Sequence, residues 1–146
     1  MKNKIQGFSL IELMIALVVA GILAAIAIPS YQNSVLKGNR SVGKSELTVL
    51  LSKQEQYFVN NKSYATDLTK LGYPAAPYYV DNNGNTLASS TGAVYQIALA
   101  SGASASAFTA NAVPQNNQVN DSPCATLSIT HRGAESATGS HGSACW

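Results

Sequence analysis

The sequence predicts an α+β fold in which one long N-terminal helix, apolar through its first half, packs its second half on an antiparallel sheet of three or four strands. Three observations predict it. Residues 8–28 form a dense apolar block, while the rest of the chain is polar and rich in Ser, Ala, Asn and Gly. Beyond Pro29, Leu47, Leu50, Leu51 and Phe58, with Tyr57 beside them, recur at the spacing of one helix face. Downstream, short strand-like segments alternate with turn-forming residues.

The apolar block comes first. It holds about as many residues as the ~20 that a helix needs to cross a bilayer. Lys2 and Lys4 precede it, which favours a cytoplasmic N-terminus and an exported C-terminus. A secretory signal peptide is the alternative, and Ala24, Ala25 and Ala27 imitate its cleavage site. Such a peptide has a shorter apolar core and a polar region after it, which this stretch lacks. Glu12 is the anomaly. A carboxylate in an apolar span is costly unless it is protonated or partnered. No residue from 8 to 28 carries a positive charge. Glu12 therefore either snorkels to the membrane surface or draws its cation from another molecule. Cutting the chain before Phe8 would create an α-amino group four residues from Glu12, and two staggered copies could then pair amine with carboxylate.

Gly7, Phe8, Ser9, Leu10, Ile11 and Glu12 together resemble the signal of type IV prepilins, and the resemblance runs on through residues 13–15 and 21–31, about the first quarter of the chain. It implies a leader of residues 1–7 removed after Gly7 by a prepilin peptidase, N-methylation of Phe8, and pairing of Glu12 with a neighbour's N-terminus during assembly. It also implies a transmembrane and filament-core helix over 8–31, and a globular domain over 32–146 that includes the amphipathic half of the helix. Gly21 and Pro29 are poor in helix interiors, by about 1 and about 3 kcal/mol relative to Ala, so the stretch between them is expected to kink or unwind. A looser resemblance, to PilE-type minor pilins, rests on residues 54–58, Asn60, Asn61, Ser63, Tyr64 and the ending Cys145, Trp146.

The helix is expected over residues 9–60, with Asn60, Asn61 and Lys62 at its end. Residues 61–90 read as an irregular connection. It contains Pro74, Pro77 and a turn at 81–85, and Tyr64, Leu68, Leu71 and Tyr73 anchor it. Strands are expected at 94–99, 107–113 and 126–130, with a further short one near 78–80. Cys124 and Cys145 are the only cysteines, and two cysteines in a small exported domain usually pair. Their bridge encloses the last strand and a Gly/Ser/Ala-rich loop with little to bury, which it stabilises by about 3 kcal/mol in the chain-entropy model. A disulfide-bounded C-terminal region also resembles the pilin fold.

At 146 residues the chain has room for one compact domain, and its net charge is +2. Nine basic residues less Lys2 and Lys4 leave seven, matched by seven acids, so the excess belongs to the leader. That balance argues against a strongly basic nucleic-acid-binding domain, though not against a local patch. Lys37, Arg40 and Lys44, which share a helix face, and Arg132 are the candidate DNA contacts, with Tyr or Trp146 stacking on bases. His131 and His141 have no metal-ligand spacing with Asp or Cys and read as surface histidines. Residues 81–85 lack the distal Glu of an EF-hand loop. Phosphate loops and nucleophile elbows are missing from the sequence, so neither catalysis, a cofactor nor a metal is expected.

What the resemblance implies is a structural subunit, major or minor, of a type IV pilus, supporting adhesion, twitching motility or DNA uptake. The implied partners are other pilin subunits, the prepilin peptidase, the inner-membrane assembly machinery and the membrane itself. The implied locations are the inner membrane for precursor and subunit pool, and the extracellular pilus or periplasm after assembly. A type II secretion pseudopilin and a DNA-binding uptake pilin are the alternatives.

Overall fold

The structure is a computed structural model describing residues 8–146. The expected leader, with Gly7 at the expected cut, lies outside the described residues. The chain forms two compact units, one ending at Val35 and the other Leu36–Trp146.

Helix α1 spans Leu10–Asn61, with Pro29 inside it. The expected unwinding between Gly21 and Pro29 is not found, because the helix runs unbroken through that stretch. Pro29 removes one hydrogen bond from a helix of 52 residues, and the Leu- and Ala-rich flanks favour continuation. The hydroxyl-bearing residues satisfy themselves one turn back. Ser34 donates to the Ser30 carbonyl at 3.0 Å, Thr48 to Lys44 at 2.9 Å and Ser52 to Thr48 at 3.1 Å. Such back-bonding lets Ser and Thr stand in a helix interior without competing for its ladder.

In the larger unit, α1 buries a stripe of Gly43, Leu47, Leu50 and Gln54, spaced four, three and four residues apart. The sheet beneath has six antiparallel strands: β1 Tyr78–Val80, β2 Thr86–Leu87, β3 Tyr95–Leu99, β4 Thr109–Pro114, β5 Leu127–Thr130 and β6 Glu135–Ala137. Their order is β2-β1-β3-β4-β5-β6. The four expected segments supply β1, β3, β4 and β5, and the short β2 and β6 extend the sheet at its two edges. Alternation fixes the register. Tyr78, Val80, Tyr95, Ile97, Ala110, Ala112, Leu127 and Ile129 are buried in the core. Residues between them, such as Gln96, Asn111 and Ser128, stay partly exposed.

Two glycines are required by close approach. A Cβ on Gly43 would lie 2.9 Å from the Tyr95 ring, and one on Gly139 would lie 2.2 Å from the Pro123 carbonyl oxygen. The first lets the central strand meet the helix backbone. The second lets the C-terminal loop lie flat on the segment before β5.

Large tyrosines fill the core where aliphatic residues are few. Tyr73 and Tyr78 stack with centroids 4.1 Å apart, and Lys53 Nζ sits 3.9 Å from the Tyr73 ring centre. The Tyr78 hydroxyl donates to Glu46 Oε1 at 2.6 Å. Burial pushes the Tyr73 and Tyr95 phenols up to about 12. Tyr78 moves up as well, by burial first and then by its bond to the Glu46 carboxylate. Below the ordinary phenol range near 10 these groups are protonated whether the chain is folded or not. Between about 10 and about 12 the unfolded chain loses protons that the folded chain keeps, so stability falls as pH rises through that window. We expect tyrosinate absorbance from these three residues to develop together with loss of near-ultraviolet circular dichroism in an alkaline titration. Ionisation of these three tyrosines without unfolding would contradict the burial.

Candidate functional site

Two regions carry functional potential, and each belongs to one unit. In the first, apolar side chains face outward. Phe8 is 78% exposed, Leu10 79% and Leu17 65%, and none of the most apolar stretch is buried. Residues 10–28 extend about 28 Å at 1.5 Å per residue, close to the ~30 Å of a bilayer core. Glu12 lies in the first turn of α1, where the helix dipole favours a carboxylate.

In the second region the helix is tied to the segment after β4 by a buried polar network. Arg40 Nε donates to Asp121 Oδ2 at 2.9 Å and a terminal guanidinium nitrogen donates to Oδ1 at 2.6 Å, a two-pronged ion pair. Arg40 is 16% exposed and Asp121 only 4%. The hydrogen bond that Arg40 donates to Asp121 raises the Arg40 pKa, against the opposing effect of burial. Gln118 joins them. Its side-chain amide nitrogen reaches the Leu36 carbonyl at 3.1 Å, the Tyr95 hydroxyl at 3.1 Å and Asp121 Oδ2 at 3.2 Å. All three can accept, so the amide has one sensible orientation, and its oxygen is left buried without a partner. Gln54 forms a second clamp. It donates to the Ala65 carbonyl and accepts from the Ala65 amide, both at 2.8 Å, which closes the turn after α1.

The candidate cationic residues do not form one patch. Arg40 is withdrawn into the pair with Asp121, which corrects its expected role as a free DNA contact. Lys37 is exposed and Lys44 half-buried on the helix. Arg132 is exposed in the turn between β5 and β6. Beside it His131 meets Tyr64 at 6.0 Å and Phe108 at 6.4 Å, and Tyr64 meets Phe58 at 4.7 Å. Phe58 is 21 residues beyond Lys37 on the same helix, about 32 Å along its axis. Phe108, His131 and Arg132 line an open groove of about 390 Å³ between two hairpin turns.

Cys124 and Cys145 are joined, with Cα atoms 5.6 Å apart. The loop they close is zipped by the Thr138 amide to the Thr126 carbonyl at 3.0 Å, Gly139 to Cys124 at 3.1 Å and His141 to Pro123 at 2.9 Å. The Trp146 indole donates to the Ser136 carbonyl at 2.8 Å, so the last residue covers the edge strand β6. His141 is exposed, as expected of a surface histidine, and a ring nitrogen lies within 4.8 Å of both cysteine sulfurs.

A helix with an outward-facing apolar first half, a second half packed on an antiparallel meander, and a stapled C-terminal loop together define an α+β protein built on one long helix. The chain belongs to the family described as "Type IV minor pilin ComP, DNA uptake sequence receptor", whose model matches residues 29–128. The prokaryotic N-terminal methylation motif matches residues 2–28. The chain is 37% identical over 68 residues to the type IV major pilin protein PilA of Myxococcus xanthus, covering 47% of this chain and 31% of that one. It is 29% identical over 72 residues to the type II secretion system core protein G of Dickeya chrysanthemi, covering 49% and 47%. The chain thus spans less than half the length of these curated relatives. A solved type IV pilin from Shewanella oneidensis matches with a TM-score of 0.45 and 22% identity, over 68% of this chain and 89% of that one. The family model, not that superposition, assigns the class.

The Arg40–Asp121 pair is open to mutation. Removing Arg40 strands a carboxylate that is 4% exposed, whereas removing Asp121 leaves a guanidinium that is already 16% exposed and can turn to water. We expect Arg40→Ala to destabilise the larger unit by about 3 kcal/mol, the lower end for breaking a buried pair. Asp121→Ala should cost less. Urea unfolding of both variants checks the order, and equal losses would show that solvent reaches both partners.

Proposed function

We propose that this chain is a structural subunit of a type IV pilus rather than an enzyme, trimmed between Gly7 and Phe8 and polymerised through its apolar helix. One combination supports this most. The methylation-motif match over residues 2–28 runs directly into the pilin-family match over residues 29–128. The bare first half of α1 adds a physical reason. Side chains such as Leu10 at 79% and Ile26 at 68% exposure can leave water only into a bilayer or among other helices. The membrane holds the precursor, the prepilin peptidase trims it, and the inner-membrane machinery passes it to other pilin subunits in a pilus outside the cell or in the periplasm. Likeness to the Dickeya secretion protein keeps a pseudopilin role in view, but the family match and the stapled C-terminal loop favour the pilus.

Glu12 supplies the docking step. The helix dipole stabilises a carboxylate in the first turn by about 0.3–1 kcal/mol. Burial of an unpaired carboxylate among apolar helices costs far more. The dipole therefore cannot hold an ionised Glu12 in a filament core alone. The α-amino group of a neighbour's Phe8 is the cation that cleavage creates, and the low dielectric strengthens their attraction. Glu12→Gln keeps the shape and removes the charge. The expected result is normal trimming, read as a mass beginning at Phe8, with incorporation of this chain into purified filaments cut by an order of magnitude or more. Wild-type incorporation would sink the pairing and leave Glu12 to peptidase recognition or membrane positioning.

A DNA-uptake role is the second reading, favoured by the family's description as a DNA uptake sequence receptor. With Arg40 paired, its cationic candidates reduce to Lys37, Lys44 and Arg132, of which Arg132 shares a groove with Phe108 and His131. Arg132→Ala should weaken binding of a short duplex and lower the salt slope by about 0.9 per lost phosphate contact, measured by fluorescence anisotropy. An unchanged slope in Arg132→Ala and in a Lys37→Ala, Lys44→Ala double variant would remove these residues from any DNA contact.

A further inference from the structure

We propose that Val119 of one copy of this chain seats in the groove between the two hairpin turns of the next copy. This head-to-tail contact rests on the filament reading above and gives its subunits a second meeting point besides Glu12. Among the described residues, Val119 is the one large apolar side chain outside α1 that stands exposed, at 59%. The groove is its counterpart. It is open, about 390 Å³ in volume, and its lining includes Ala103, Ala107, Phe108 and Ala134, with Arg132 beside them.

Knob and groove lie at opposite ends of the sheet. Strand β4 starts at the groove, where Thr109 pairs with Thr130, and ends at Pro114, which pairs with Tyr95. Those two ends are about 17 Å apart at 3.4 Å per residue. The 3₁₀ turn Asn116–Asn120, which carries Val119, comes after the far end. Helix α1 has the same polarity. Gln118 bonds to the Leu36 carbonyl, whereas Phe58 packs on Tyr64 and Tyr64 on Phe108 at 5.0 Å. Leu36 and Phe58 are 22 residues apart, about 33 Å along the axis. A patch at one end that fits a pocket at the other makes a heterologous contact, which propagates along a filament instead of closing as a two-fold pair.

The buried polar network holds the knob ready. Gln118, next to Val119, is anchored to Leu36, Tyr95 and Asp121. Asn116 Nδ2 clamps the same turn to the Ser90 and Ala93 carbonyls at 2.7 and 2.9 Å. A turn ordered in advance loses little freedom on docking. The Arg40–Asp121 fork also neutralises the acid beside the knob, so Val119 can enter an apolar groove without burying an unpaired ion. Polar groups complement one another at the rim. Among the described residues, Arg132 is exposed without a salt-bridge partner, and no backbone amide reaches the Val119 or Asn120 carbonyl. Guanidinium donors of one copy can therefore meet carbonyl acceptors of the next. One side chain in a groove buries far less than the ~1,200 Å² of a stable pair, so the contact adds to helix packing in a filament and does not dimerise the free subunit.

The test uses the full chain in cells that assemble it. The photo-reactive residue p-benzoylphenylalanine, introduced at exposed Ser122 beside the knob, reports the neighbouring surface by mass spectrometry of sheared filaments. Knob and groove of one copy face opposite ends, so a crosslink to residues 101–109 or 130–134 joins two copies. Those crosslinks should form in filaments and be absent from detergent-solubilised subunits. Val119→Asp spoils the knob and Ala134→Trp fills the groove. Each should cut incorporation of this chain on the order of tenfold, the effect of losing one buried valine. Val119→Ile should keep it. All three should be trimmed at Phe8 and keep the wild-type Tm in detergent, since both positions are exposed. Crosslinks confined to other surfaces or other proteins, or wild-type incorporation of Val119→Asp, would overturn the contact and leave the pilus reading standing. A wild-type chain absent from filaments would overturn both.

Discussion

The ring of Tyr95 lies against the backbone of α1 at Gly43, and the larger unit is organised around that approach. Tyr95 belongs to β3, which pairs with β1 on one side and β4 on the other. Because Gly43 has no side chain, a phenol can take the space where a Cβ would stand, and its hydroxyl emerges within reach of Gln118. From there the polar network runs to Leu36 and Asp121, and through Asp121 to Arg40. One missing methyl group in the helix therefore lets the sheet's centre, the segment after β4 and the helix share one set of bonds.

That network carries a small imbalance. Gln118 shares two N–H donors among three oxygens, and among the described residues its own buried oxygen has no partner, a defect of about 1–3 kcal/mol. The fork between Arg40 and Asp121 offsets it by satisfying a nearly buried carboxylate in two places. The pair also explains why a positively charged residue on a helix is a poor guide to a binding surface. One of the four cations that the sequence offers as contacts is used internally by the fold.

The two units follow opposite physical rules. In the larger unit the apolar residues are gathered inside, the strands alternate, and the polar groups find partners. In the smaller one the apolar residues lie on the outside, and among the described residues Glu12 sits beside them without a salt-bridge partner. A helix of that kind is unfinished as a monomer. Its apolar surface leaves water only in a lipid or protein environment, while the larger unit brings its own core and its own staple.

By itself the sequence determined the extent of the helix, the position of four of the six strands, the apolar span, the anomaly at Glu12 and the pairing of the two cysteines. These are legible because each rests on local information: hydrophobic period, turn chemistry, charge within a span, and residue count. The edge strands β2 and β6 were not legible, since segments of two and three residues carry too little alternation to register, and they exist because neighbouring strands present unpaired backbone groups. The continuity of α1 through Pro29 also went against local propensity, because helix cooperativity outweighs one missing donor. Only the tertiary structure decided that Arg40 turns to Asp121, that Gln54 and Gln118 are core residues, and that His141 joins the cysteines. The reason is common to all of them. Each depends on a partner brought close by folding, at separations of 81 residues for Arg40 and Asp121 or across a loop for His141, and no periodicity in one chain reports that.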